Sequence, residues 1–281
     1  MENRNIIGWI LIGCTGLSSC EKADLVGMFV SHELVNERFA QSMEWNADHA
    51  YQEITVPDNT YTVYAMSDSH VGGVVNLNRF LDDAQEAEAT AVLMVGDLTT
   101  GNPEDYATFD QNMPDPDSVA IFPMIGNHDL YFNGWLEYYP LFGSTTYYFT
   151  ISTPQGRDLF ICLDSGSGTL GSDQLEWLKD ILENERPGYR YCIISTHCNL
   201  FRPRHTSSTN PVVEELYVLL DLFARHRVNM VITGHDHEKN ADVLGNTTHI
   251  ILDALKDDYE QAGYLTLSID DEGIRYDFFN Y

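Results

Sequence analysis

Five times along this chain a short apolar run stops at a polar turn that carries an aspartate, a histidine or an asparagine. Thr62–Met66 is followed by Ser67-Asp68-Ser69-His70, Ala91–Val95 by Gly96-Asp97, and Ala120–Ile125 by Gly126-Asn127-His128-Asp129. Tyr191–Ser195 is followed by Thr196-His197, and Val228–Ile232 by Thr233-Gly234-His235-Asp236-His237. Runs of this length with little alternation read as strands covered on both faces. Helical patterns lie between them. Asn76–Ala87 places Leu77, Phe80, Leu81 and Ala84 on one face, and Val212–Ala224 is a second helix. Ser172 reads as the cap of a third, which carries Leu175, Trp177, Leu178 and Leu182. Strands alternating with helices imply an α/β domain with parallel pairs and right-handed crossovers.

Other strands look antiparallel. Tyr147–Ser152 and Leu159–Leu163 flank a Pro154-Gln155-Gly156 turn, and His249–Leu252, Tyr264–Ile269 and Ile274–Phe279 close the chain. The expectation is therefore a mixed arrangement, with two sheets packed together. A length of 281 residues with 43% hydrophobic content is enough for one sizeable core. Residues 20–59 are polar and weakly patterned, and read as a tether with a short edge strand at Ile54–Val56; residues 60–281 read as the domain.

Acidic residues outnumber basic ones by 43 to 15, a formal net charge of −28. Such a surface repels nucleic-acid phosphates, which argues against a DNA- or RNA-binding scaffold. An enzyme acting on phosphates would need strong local positive charge, which bound divalent metals supply. Most of the carboxylates read simply as solvated surface.

Residues 1–19 read as a signal peptide. Arg4 precedes an apolar run from Ile6 to Leu17 that is too short to span a bilayer, and Leu17-Ser18-Ser19-Cys20 resembles a bacterial lipobox. The expectation is an exported lipoprotein, held to the cell envelope through a lipid on Cys20. Of the later cysteines, Cys162, Cys192 and Cys198, none has a Cys-x-x-Cys spacing, and a disulfide scaffold is not indicated.

In an open α/β sheet, ligands gather beyond the carboxyl ends of the strands, so five such ends can meet at one site. Carboxylate, imidazole and amide oxygen without thiolate suit hard or borderline divalent metals. Asp68/His70 and His235/His237 are i, i+2 pairs, whose side chains share a face in extended backbone. Gly96, Gly126 and Gly234 read as turn positions where a side chain would clash.

Asp68-Ser69-His70, Gly96-Asp97, Gly126-Asn127-His128-Asp129, Thr196-His197 and Gly234-His235-Asp236-His237 resemble, in order and spacing, the motif set of the calcineurin-like metallophosphoesterases. The resemblance covers about residues 60–281. It implies a four-layer α/β/β/α sandwich of two mixed sheets flanked by helices. Asp68, His70 and His237 would hold one metal, Asn127, His197 and His235 a second, and Asp97 would bridge them. His128 would be the general acid, and Asp129 would orient it or raise its pKa. The cofactors implied are two divalent ions, manganese first, then iron, zinc, magnesium or calcium. The family's purple acid phosphatase branch carries a tyrosine three residues after the bridging aspartate; Thr100 stands there, so that branch is not expected.

The implied reaction is hydrolysis of phosphomonoesters or phosphodiesters by a metal-bridging hydroxide. The alternatives are a catalytically silent metal-binding scaffold of the same fold and a binding lipoprotein. Completeness of the ligand set separates them, because a degenerate member should lack a ligand or the acid. Arg202, Arg204 and His205 follow His197 closely in a chain poor in basic residues, and read as substrate contacts to an anionic group. Tyr131, Phe132 and Trp135 read as core rather than as a stacking surface.

Overall fold

The strands build two mixed sheets, and their apolar runs are covered by the other sheet on one face and by helices on the other. The computed structural model describes residues 33–116, 118–199, 209 and 211–281. Its strands are β1 Glu53–Thr55, β2 Tyr61–Met66, β3 Ala91–Val95, β4 Ala120–Met124, β5 Tyr147–Thr153, β6 Gly156–Leu163, β7 Cys192–Thr196, β8 Met230–Thr233, β9 Asn240–Leu244, β10 Thr247–Ile251, β11 Gly263–Ile269 and β12 Ile274–Asn280. Its helices are α1 Val35–Asp48, α2 Val75–Glu86, α3 Pro103–Gln111, α4 Trp135–Phe142, α5 Gly171–Asp180 and α6 Val213–Arg225.

One sheet has seven strands in the order β1-β5-β6-β7-β8-β10-β9, and the other has five in the order β12-β11-β2-β3-β4. Neighbouring β2, β3 and β4 run parallel, as do β6, β7, β8 and β10, so their carboxyl ends lie on one side. Val63, Ala65, Leu93, Val95 and Met124 of the smaller sheet face Phe149, Phe160, Ile193 and Ile232 of the larger one in a shared core. The opposite face of the smaller sheet carries Val92 and Met94 against Phe80, Tyr106, Trp135 and Tyr138 of α2, α3 and α4. Ile161, Ile194 and Val231, on the outer face of the larger sheet, pack on Leu178, Leu219 and Phe223 of α5 and α6. The result is the four-layer α/β/β/α sandwich.

Three local readings are corrected. Residues 35–48, read as tether, form α1 and dock on the domain. Hydrophobic patterning misses this helix because its two buried side chains are polar: Arg38 pairs with Asp164, and Ser42 Oγ lies 3.2 Å from Thr145 Oγ1. Ser172 does not cap α5. The Leu170 amide there is met by the Glu215 carboxylate of α6 at 3.0 Å, while Ser172 Oγ accepts from Asn36 Nδ2 of α1 at 2.9 Å. The run Asn240–Leu244 adds an unforeseen edge strand, antiparallel to β10.

Cys162, Cys192 and Cys198 are free and buried. Among the described residues no helix is long and apolar enough to cross a membrane. The signal segment with Cys20 lies outside the described residues.

Candidate metal centre

Each ligand candidate sits just past a strand end, and both sheets contribute. Asp68 and His70 follow β2, Asp97 follows β3 and Asn127 follows β4 in the smaller sheet; His197 follows β7, and His235 and His237 follow β8 in the larger one. Two groups of donor atoms form, each within 4.8 Å: Asp68, His70, Asp97 and His237, and Asp97, His197 and His235. Asp97 belongs to both. His237 Nε2 lies 3.1 Å from Asp68 Oδ1 and 3.2 Å from His70 Nε2, and His197 Nε2 lies 3.2 Å from Asp97 Oδ2.

The surrounding backbone leaves one donor of each group free. Asp68 Oδ2 accepts from Ser67 Oγ at 2.6 Å and from the His235 amide at 2.9 Å, which leaves Oδ1. Asp97 Oδ1 accepts the His128 amide at 2.7 Å, which leaves Oδ2. His197 Nδ1 lies 2.9 Å from Val95 O, so it carries a proton and Nε2 is the nitrogen that can face a cation. Asn127 Nδ2 donates to Tyr131 Oη at 3.3 Å, while Asn127 Oδ1 is buried with no hydrogen-bond partner. Buried oxygens left so are costly unless a ligand satisfies them. This donor set fits two divalent cations sharing Asp97.

The i, i+2 pairs do not converge through extended backbone. Asp68, His70, Asp97, His235 and His237 all have positive φ, at 54°, 40°, 50°, 70° and 59°. Non-glycine residues rarely adopt this region, and such strain clusters at functional sites. The glycines act differently from one another. Gly96 itself has φ of 79°, and a Cβ there would meet the His197 ring at 2.7 Å. Gly126 and Gly234 are needed for close approach instead, to Asp97 and to Ser67.

Charge inside the cluster is unequal. Burial opposes the ionisation of Asp97, but His197, His128 and His70 outweigh it and hold the carboxyl well below the usual range. Asp68 is likewise held down, by His237 and His197 against burial. Burial pushes His70 and His235 down to about 4, so both are neutral donors at neutral pH. Burial also opposes charge on His197, yet Asp97 and Asp68 pull it up to about 10.

Residues 61–239, well over half of the chain, match the model of the calcineurin-like phosphoesterases. The chain belongs to that family. A search of curated proteins found no match. Among solved structures, a dimetal phosphatase from Danio rerio superposes with a TM-score of 0.61 at 14% identity, covering 80% of this chain and 100% of that one. GAP50, the anchor in the inner membrane complex of Plasmodium, gives 0.61 at 14% identity, over 79% and 85%. A putative 5′-nucleotidase from Staphylococcus aureus gives 0.53 at 15% identity, over 79% of this chain and 54% of that one. At these identities the likeness is one of fold.

Within this calcineurin-like site, His128 lies at the rim. Its side chain is 30% exposed, its Nε2 is 4.0 Å from Asp97 Oδ2, and its ring is 4.5 Å from that of His70. Asp129 departs from expectation. Its oxygens accept the amides of Thr99 at 2.8 Å, Gly126 at 2.9 Å and Leu98 at 3.2 Å, and the Thr99 hydroxyl at 3.1 Å. It is fully engaged in tying two loops together rather than in orienting the His128 ring. Burial and the Asp97 charge push its carboxyl up to about 7, against those amide bonds. Tyr131, read as core, borders the site instead, with its ring 4.6 Å from His128. The short distance from His128 in the sequence was the available signal. Trp135 is core as read. Arg202, Arg204 and His205 lie outside the described residues.

Proposed function

We propose that this chain hydrolyses phosphomonoesters or phosphodiesters at a pair of divalent cations, with His128 giving a proton to the departing alkoxide. The observation that carries the reading is Asp97, a single buried carboxylate that belongs to both donor groups. Asp68, His70 and His237 would complete one subsite, and Asn127, His197 and His235 the other. Two divalent cations held by these residues would neutralise charge on phosphoryl oxygens and make water nucleophilic at neutral pH.

The remaining steps fall to the chain itself. The His128 backbone is fixed by its amide bond to Asp97 Oδ1, so the imidazole stands at a set distance from the centre. It is more exposed than the ligands, at 30% against 22% for His237, where a leaving group would depart, and a positioned acid of this kind is worth about 10²–10⁴-fold. Arg202 or Arg204, with His205, is proposed to contact an anionic part of the substrate. Manganese is the proposed metal, and attachment through Cys20 to the cell envelope, on its periplasmic or cell-surface side, the proposed location. A silent scaffold would be expected to have lost a ligand or the acid, and all eight residues are present here.

The test is a panel of p-nitrophenyl phosphate, bis-p-nitrophenyl phosphate, nucleotides and phospholipids with Mn²⁺, Mg²⁺, Zn²⁺ or Ca²⁺. Turnover that a chelator abolishes supports the enzyme; no turnover with any metal discards it in favour of the scaffold.

A further inference from the structure

Arg38 is the one buried arginine or lysine among the described residues, and the site chemistry above does not use it. It is fully buried, on a helix that precedes the family match. Its Nε donates to Asp164 Oδ2 at 2.8 Å and its Nη2 to Asp164 Oδ1 at 3.1 Å, a two-pronged pair. Nη2 also reaches Ser167 Oγ at 3.1 Å, and Nη1 reaches Glu33 O at 2.8 Å. Asp164 is the first residue past β6, and its Oδ1 also accepts the Gly166 amide at 3.0 Å. Arg38 and Asp164 together therefore set the course of residues 164–168.

That loop touches both neighbours of the second subsite. Ser165 Oγ accepts from Thr196 Oγ1 at 2.7 Å and from the Cys198 amide at 2.8 Å, the residues on either side of His197. Cys198 Sγ donates to Ser165 O at 3.1 Å. Gly166 lies so close to the Gly126 carbonyl that a Cβ would meet it at 2.9 Å, and Asn127 follows directly. Asp68 and His70 are fixed elsewhere: their amides donate to Gly96 O and Asp97 O, both at 3.0 Å, and Tyr259 Oη donates to His237 O at 3.1 Å.

We infer that Arg38 is a positioning residue for one half of the metal centre, acting through Asp164 and Ser165 on His197 and Asn127. The N-terminal helix thereby becomes part of the functional unit, although the family match begins at residue 61. This inference rests on the two-cation reading above. Groups that hold metal ligands in place typically change metal affinity about 10–100-fold when altered, and the loss should fall on one cation of the two.

The experiment uses the full chain titrated with Mn²⁺ alone, followed by calorimetry and by electron paramagnetic resonance, which separates coupled from isolated Mn²⁺. Arg38→Met should keep one Mn²⁺ at wild-type affinity, weaken the second about 10–100-fold, and show an uncoupled spectrum at limiting metal. Arg38→Lys, which keeps the charge but not the fork, should recover part of the second affinity. Ser165→Ala removes only the hydroxyl link, and decides the matter if Arg38→Met does not fold. Folded variants that take up two coupled Mn²⁺ like wild type would overturn the inference, as would equal weakening of both cations. Wild type binding fewer than two Mn²⁺ would instead sink the two-cation reading, and this inference with it.

Discussion

The Asp129 carboxylate accepts the Thr99 amide at 2.8 Å, so the loop after β4 is laced to the loop after β3. The same carboxylate takes the Gly126 and Leu98 amides, and nothing on it is left for the adjacent imidazole. Asp129→Ala should strand three buried amides, each costing about 1–3 kcal/mol, for a loss of about 3 kcal/mol or more. Urea denaturation in chelator would measure it. If Asp129 instead worked through His128, the variant would stay stable and slow poor leaving groups selectively.

His128→Ala should leave metal content at wild-type level, because the side chain stands at the rim. Hydrolysis of alkyl phosphates with poor leaving groups should fall about 10²–10⁴-fold, and that of p-nitrophenyl phosphate far less. Equal slowing of both classes would remove His128 from the role of acid.

Asp97→Asn should remove the bridge common to both donor groups. Metal content should drop from two to one or none per chain, and turnover by at least about 10²–10³-fold, the scale seen for loss of one charge-stabilising group. Elemental analysis beside the assay checks it, and a variant retaining two metals with full activity refutes the shared-ligand arrangement.

Metal uptake should strengthen with rising pH. His197 is pulled up to about 10, so below that value it holds a proton that a cation must displace, while His70 and His235, near 4, hold none at neutral pH. The proton is retained at low pH and lost as pH rises, so apparent affinity should climb about tenfold per unit between pH 6 and 9 for one proton released. Calorimetry in buffers of different ionisation enthalpy reads the proton directly. A flat profile contradicts the assignment.

The strand ends were open to sequence reading because two demands coincide there. A strand buried on both faces is mostly apolar, and a ligand interrupts it at its end, so Val95 gives way to Gly96-Asp97. Helix α1 was not, because Arg38 and Ser42 dock it through polar contacts that resemble surface. Nor was the left-handed backbone at Asp68 and His70, since i, i+2 reasoning holds only in regular strands. Asp129 misled for a related reason: His128 opens a short 3₁₀ turn, in which consecutive side chains point apart.

The ligands are drawn from two sheets whose shared core is apolar around Val95 and Ile193, with hydrogen bonds between them such as Tyr61 Oη to Asp158 Oδ2 and Tyr147 Oη to Pro123 O, both at 2.8 Å. Dispersion and hydrophobic contact are not directional, so they set how far apart the layers lie more firmly than their lateral register. Seven donor residues converging across that seam would make cations held there, on the proposed reading, a rivet between the halves of the sandwich. Chelation should then be felt away from the site, as faster amide exchange in β2, β3, β7 and β8 together, and catalytic and architectural integrity would be lost at the same metal concentration.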